Sequence, residues 1–498
     1  MHTDHESNAM NANDNESVMW MKNASMSFDQ GKFGDAIRQS ERIIKANPRH
    51  AEAWNLKGNA LFELGKYDEA IACFDKVIEI NPGFLDADVW NSKGNTLFEM
   101  RKYTTALEFY DRAIKADVEH KWVWRNKGFT LQRLVIYPEA IKCYEKAIEL
   151  DPNFADPWND KGTILFEMGK SDDAIYCYDQ AISIEDDFVH AWLNKGLALS
   201  HKERFDEALK AFDKCIEIDP NYVDAWNSKG NILFELNRHD EAMRCFEKTI
   251  EIDPNFVYGW SNKAAILSNL GKIDESKQAY QKAMEISAKA LEQNPQAVDL
   301  WNLRGTCALH LNDILQAENC YYEALKIEPK NIGALVGLGS LFGDYKYEFD
   351  KSVEYLRQAL QINPTNFDIK INYLEMLLKI GRYEEAQVKA LELLPEASAD
   401  YHKCLIQFFL LLSYVYESNN EKIEKEFYNF FCLYRDMPEP FVIDESRWTF
   451  NGLIDVIATS SLGVPTKFLV ITLIDIMQGK LAWHDLKFYQ AYLQESIV

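Results

Sequence analysis

The stretch AEAWNLKGNALFELGKYDEAIACFDKVIEINPGF, residues 51–84, carries the pattern that decides the fold. Trp54, Gly58, Leu61 and Leu64 recur every three or four residues, which places them on one helical face. Gly65-Lys66 interrupts that pattern as a turn, and Asp68-Glu69 then bring carboxylates to a second helix start, where the helix dipole favours them. Ala70, Phe74, Val77 and Ile78 form the second apolar stripe. Asn81-Pro82 stops it, because the residue before a proline is driven out of the α region. The stretch therefore predicts two helices joined by a turn.

The unit repeats. Trp20, Trp54, Trp90, Trp124, Trp158, Trp192, Trp226, Trp260 and Trp301 are separated by 34, 36, 34, 34, 34, 34, 34 and 41 residues. Glycine follows most of them by four residues (Gly58, Gly94, Gly128, Gly162, Gly196, Gly230, Gly305), and a small residue such as Ala70, Ala140 or Ser276 follows each by sixteen. A mid-helix glycine costs about 1 kcal/mol relative to alanine, so its recurrence predicts that another backbone approaches there. The seven extra residues before Trp301, near Met284–Gln293, predict either a lengthened second helix that kinks or partly breaks the stack, or a protruding helix end.

With Trp at position 4, Gly at 8, Ala at 20, an aromatic at 24 and Pro at 32, the units resemble tetratricopeptide repeats of the prokaryotic multi-repeat type. Nine good copies cover about 17–331, and two degenerate ones without the tryptophan follow at 332–366 and 367–400. The resemblance implies an all-α, right-handed superhelical α-solenoid of about eleven helix-turn-helix units, whose first helices line a concave groove, followed by a helical C-terminal capping region. The domain reading is an acidic disordered tail at 1–16, a solenoid at 17–400 with repeats beginning near 17, 51, 87, 121, 155, 189, 223, 257, 298, 332 and 367, and a helical region at 401–498. In that last region Phe427, Phe430, Phe431 and Tyr434 have helical spacing, and helical patterns resume at Asp444–Thr459, Pro465–Gln478 and His484–Leu493.

The positions that face the groove in the resembled family are here rich in carboxamides: Asn55, Asn59, Asn91, Asn95, Asn126, Asn159, Asn194, Asn227, Asn231, Asn262 and Asn302. Each offers donors and an acceptor, so a ladder of them could hold the backbone of an extended peptide; the alternative is bonding between neighbouring helices. On the first reading, replacing Asn91, Asn95, Asn227 and Asn231 with alanine weakens binding and leaves unfolding nearly unchanged. Glu99, Glu167 and Glu235 make the same lining acidic, and Arg125 interrupts it. Repeats with W-N-x-K-G alternate with repeats reading W-x-N-K-G, a 68-residue period that duplication alone would produce. In the family, co-chaperones that grip an acidic C-terminus use basic residues at positions 2 and 6; here those positions hold Asp88 and Ser92, or Asp156 and Asp160, which disfavours that role. Lys57, Lys93, Lys127, Lys161, Lys195, Lys229 and Lys263 are expected to cover apolar surface with their stems while each charge meets a nearby carboxylate.

Across 498 residues, 54 basic against 78 acidic side chains give a net charge of −24, a field that repels nucleic acid and anionic lipid. No apolar run reaches the roughly 18–20 residues of a membrane helix, and residues 1–16 lack the pattern of a signal peptide, so the reading is cytoplasmic. Cys73, Cys143, Cys177, Cys245 and Cys320 share one repeat position and read as buried thiols. No cofactor and no metal site is expected, and the Gly337-Leu338-Gly339 string lies inside a repeat's first helix. The resulting expectation is a non-catalytic protein–protein interaction scaffold whose groove takes neutral or basic extended polypeptide, with no nucleic acid or membrane partner. Two alternatives stand beside it: a regulatory or targeting subunit docking an enzyme through 401–498, and a self-assembling spacer.

Overall fold

The computed structural model describes residues 17–80, 87–397 and 400–416; the expectations for 1–16 and for the helical patterns after residue 416 lie outside them. Among the described residues there is no strand. The chain divides into two compact halves, Met1–Ile252 and Asp253–Val498.

The N-terminal half contains α1 (17–29), α2 (Phe33–Ala46), α3 (Ala51–Glu63), α4 (Tyr67–Ile80), α5 (Ala87–Glu99), α6 (Tyr103–Ala116), α7 (Lys121–Arg133), α8 (Tyr137–Leu150), α9 (Ala155–Glu167), α10 (Ser171–Ile184), α11 (Val189–His201), α12 (Phe205–Ile218), α13 (Val223–Glu235) and α14 (His239–Ile252). The C-terminal half contains α15 (Val257–Asn269), α16 (Ile273–Gln293), α17 (Val298–His310), α18 (Ile314–Ile327), α19 (Ile332–Ser340), a π-helical segment Leu341–Tyr345, α20 (Phe349–Ile362), α21 (Phe367–Lys379), α22 (Tyr383–Leu393) and α23 (Asp400–Tyr416). Each odd-numbered helix from α3 to α21 pairs with the next, and in the N-terminal half first helices also touch first helices: α3 with α5, α5 with α7, α7 with α9, α9 with α11, α11 with α13.

The recurring glycine has a different cause from the one expected. The atoms nearest to it belong to a ring of the second helix and not to a backbone. A β-carbon built on Gly58, Gly94, Gly128, Gly162, Gly230 or Gly305 would sit 2.6–2.8 Å from a ring carbon of Phe74, Tyr110, Tyr144, Tyr178, Phe246 or Tyr321 respectively. These rings are almost wholly buried, so the aromatic at position 24 of the second helix fills the notch that glycine leaves in the first. Filling it twice would force a shift of ring or helix. In the repeat beginning at α15, Ala264 replaces the glycine and Ser276 the small partner, and Ser276 Oγ donates to the Ala264 carbonyl at 2.8 Å.

Six of the repeat tryptophans close the junction to the repeat before. The indole N–H of Trp54, Trp226, Trp260 and Trp301 donates to the carbonyl of the proline six residues earlier, at 2.9–3.0 Å. Where proline is replaced by Val118 or Asp186, the carbonyl still accepts from Trp124 or Trp192, both at 2.8 Å. Proline is thus dispensable for this bond. Within repeats, first helices end in a left-handed residue closed by paired backbone bonds, as when Gly65 N donates to Phe62 O and Lys66 N to Leu61 O. Among the described residues eleven are left-handed; five are glycine, but Arg101, Val135, Glu203, Asn237, Asn312 and Tyr347 hold the same conformation.

Two irregularities fall in the C-terminal half. The seven extra residues before Trp301 lengthen α16 to 21 residues, unbroken, and Ile286, Ser287 and Leu291 of the added length are buried. The second helix is therefore lengthened as expected, and part of the added length is packed instead of protruding. In the next-to-last repeat, α19 and the π segment together span 14 residues where the other first helices span 13, so one inserted residue is absorbed as a π turn. Beyond α22, α23 packs on α21 and α22, with Leu405 to Tyr414 buried.

Candidate functional site

The asparagines of the N-terminal half are spent first on one another. Asn126 Nδ2 donates to Asn91 Oδ1 at 3.0 Å and to Asn95 Oδ1 at 3.1 Å, and Asn194 Nδ2 donates to Asn159 Oδ1 at 2.9 Å. Asn95 Oδ1 also accepts from the Tyr110 hydroxyl at 2.8 Å. The alternation of W-N-x-K-G and W-x-N-K-G thereby acquires a physical reason: a carboxamide at position 6 of one repeat reaches a carboxamide at position 5 of the repeat before it. Asn227, Asn231 and Asn262 are also engaged. Asn59 is half-buried, and Asn55 Oδ1 is buried without a hydrogen bond. In the C-terminal half Asn302 Nδ2 donates to Asn331 Oδ1 at 2.8 Å, while its own Oδ1 is buried and unbonded. Removing Asn91 and Asn95 therefore also removes helix–helix bonds, so an unchanged unfolding transition is not expected after that substitution.

Charges of the same face divide into paired and open. Arg125 bridges to the next first helix, 2.8 Å from Asp160 and 3.0 Å from Asp156. Burial pushes the Asp160 carboxyl above its ordinary range even with this guanidinium beside it. Asp88 meets His120 at 2.9 Å. Glu99, Glu167 and Glu235 are exposed, and Glu235 is pushed up first by burial and then by the nearby Glu203 carboxylate. Apolar rings accompany them: Phe129, 40% exposed, lies 5.4 Å from the half-buried Phe98, and Trp122 is 44% exposed.

The lysines before the glycines behave as structural groups. Lys57, Lys127, Lys161, Lys195 and Lys229 each meet a carboxylate sixteen residues earlier, Glu41, Asp111, Glu145, Asp179 and Asp213, at 2.6–2.8 Å. Each also lies 5.2–5.9 Å from the ring of its own repeat's tryptophan, and Lys93 pairs with Asp75 beneath Phe109. The five cysteines at the shared position are buried and free, with thiols that burial pushes up to about 11. Among the described residues no group of three or more His, Cys, Asp or Glu side chains is placed to hold a metal ion, and no helix is long and apolar enough to cross a membrane.

The C-terminal half holds a feature that sequence reasoning missed. First-helix positions of the last repeats, with residues of α20 and α23, enclose a cavity of about 470 Å³. Glu375 lies in its wall, 9% exposed, with Lys379 Nζ 2.6 Å from its Oε1. Asp344, from the π segment, stands 3.8 Å from the same ammonium. Burial pushes both carboxyls up, Glu375 to about 7 and Asp344 in the same direction. Two signals in the sequence pointed here: a repeat of 35 residues, and Glu375 four residues before Lys379 within the otherwise apolar run Tyr373–Leu378.

Models of the tetratricopeptide repeat match residues 51–84, 87–119, 122–154, 143–176, 189–222, 223–256, 258–330 and 347–403. No curated protein sequence matches the chain. Similar solved structures include yeast Tom70, with 16% identity and a TM-score of 0.41 over 83% of this chain and 99% of that one. MamA matches with 24% identity and a TM-score of 0.31 over 33% of this chain and 96% of that one. YrrB, described as a TPR protein with an unusual peptide-binding site, matches with 26% identity and a TM-score of 0.31 over 37% and 95%. With its glycine notches, indole-closed junctions and matched segments spread over more than half its length, this chain belongs to the tetratricopeptide repeat family.

Proposed function

We propose that the chain is a non-catalytic scaffold that holds an extended, neutral or basic stretch of a partner polypeptide along its first-helix face. Membership of the repeat family supports a protein–protein interaction scaffold at the coarse level. The finer reading rests on one observation: the exposed carboxylates Glu99, Glu167 and Glu235 recur at one position of alternate first helices, α5, α9 and α13, and the exposed ring of Phe129 on α7 lies 5.4 Å from the half-buried ring of Phe98, next to Glu99. Carboxylates draw in a basic segment and rings cover its apolar parts. The asparagines contribute what stacking leaves over. Asn126 and Asn194 keep an acceptor oxygen, and Asn95 keeps both amide hydrogens, for a passing backbone.

The test is binding of the full chain to short synthetic peptides of basic, neutral and acidic composition. Basic and neutral peptides should bind. Changing Glu99, Glu167 and Glu235 together to glutamine should weaken the basic ones about tenfold and flatten their salt dependence. Preference for acidic peptides, or binding of none, would overturn the reading.

A further inference from the structure

We propose that the cavity between α17, the π segment, α21 and α23 takes a cationic side chain, lysine or arginine, projecting from the bound polypeptide. This rests on the polypeptide-binding reading above and names one residue class it selects.

The argument starts from the inserted residue. A π turn rotates the residues after it relative to a regular helix, and here it brings Asp344 to the cavity wall opposite Glu375. Leu356 of α20 lies where the earlier repeats place an aromatic ring, with its side chain 2.8 Å from a β-carbon built on Gly339. A smaller side chain in that place leaves room, and the cavity opens beside it.

Its chemistry is unbalanced. Glu375 is more than nine-tenths buried, and among the described residues its polar contact is Lys379 at Oε1, which leaves Oε2 without a hydrogen bond. Asp344 shares that lysine at 3.8 Å, too long for a hydrogen bond. Asp368, at the exposed start of α21, adds a third carboxylate to the lining. Two carboxylates, Glu375 and Asp344, thus share one ammonium, with Asp368 at the exposed rim, a condition that costs free energy until a proton or another cation arrives. The N-terminal half avoids this state by pairing Arg125 with Asp160 and Asp156. A long basic side chain supplies what is missing: its charged head reaches Glu375 and Asp344 while its stem runs along Leu356, Ile371 and Met376. Asn372 offers further polar atoms in the wall. No metal is invoked, since these oxygens do not form a ligand cluster.

The probe is N-acetylarginine methylamide, with N-acetylcitrulline methylamide as its uncharged isostere. The readout is the methyl resonance of Met376, which lines the cavity, in the full chain labelled at methionine methyls. Arginine should produce a saturable shift at about one-tenth of the concentration citrulline needs. The double change Asp344→Asn with Glu375→Gln should erase that difference, with circular dichroism confirming the fold. Equal response to both probes, or a preference that survives the double change, would overturn the proposal. Failure of every extended peptide to bind, with the arginine response intact, would instead remove the polypeptide reading and leave the cation site standing.

Discussion

The N-terminal half and the last repeats of the C-terminal half use the same first-helix positions to opposite ends. In the former, polar groups at these positions find partners one repeat away: Asn126 with Asn91 and Asn95, Asn194 with Asn159, Arg125 with Asp156 and Asp160. In the latter, an inserted residue at 341–345 shifts the register, and Glu375 and Asp344 are left to share Lys379 over a cavity. Regular spacing lets repeats satisfy each other's polar atoms, and those atoms then stabilise the stack. Beside the single insertion that satisfaction is thinner: Glu375 and Asp344 share one lysine where Asp156 and Asp160 share a guanidinium at hydrogen-bond distance.

The comparison breaks most visibly if the two cations prove equivalent. Arg125→Met leaves two carboxylates facing each other, one of them buried, and should lower the unfolding free energy by about 3 kcal/mol in chemical denaturation. Changing Asp160 to leucine as well should recover most of it. Lys379→Met should cost less, about 1 kcal/mol, because Glu375 already titrates near neutrality and takes up a proton instead. Equal losses would mean that the carboxylates of the cavity are no less committed than those of the regular stack.

A second measurement sharpens the same contrast. Burial raises the Glu375 carboxyl from its usual 4.5 to about 7 against the pull of Lys379, so the folded chain holds that proton over a pH range in which the unfolded chain has lost it. The contribution is fully present below about pH 4.5 and fades as pH rises through about 7, by at most about 3 kcal/mol. Comparing unfolding of the native chain and Glu375→Gln at about pH 5 and about pH 8 isolates it; the native chain should lose more stability on going to the higher pH. A constant difference between the two proteins would show that Glu375 stays ionised throughout.

The smallest effect concerns turns. Val135 is β-branched, 65% exposed and held at φ 61°, a backbone region that costs such a residue energy. Val135→Gly should raise stability by about 1 kcal/mol, offset in part by the greater freedom of glycine when unfolded. No gain would mean that Val135 contributes packing that its exposure conceals.

Much of the fold was legible because the period of Trp54, Gly58 and Ala70 is itself a packing statement. A side chain can recur every 34 residues only where each unit meets its neighbour in the same way. The pairing of first with second helices followed directly. The identity of the group against Gly58 did not, since a spacing announces that space is short without saying whether a chain or the Phe74 ring fills it. The asparagines show the same limit. Their positions were read from the repeat, while their mutual bonds depend on how far one helix lies from the next.

By itself, the sequence determined an all-α stack of repeated helix pairs, because apolar periodicity, turn residues and small residues are local facts written along the chain. Tertiary structure alone decided which carboxamides bond to each other, which carboxylates keep a cation and where a cavity opens. Those outcomes depend on distances between residues such as Asp344 and Lys379, thirty-five positions apart, and one inserted residue is enough to change them.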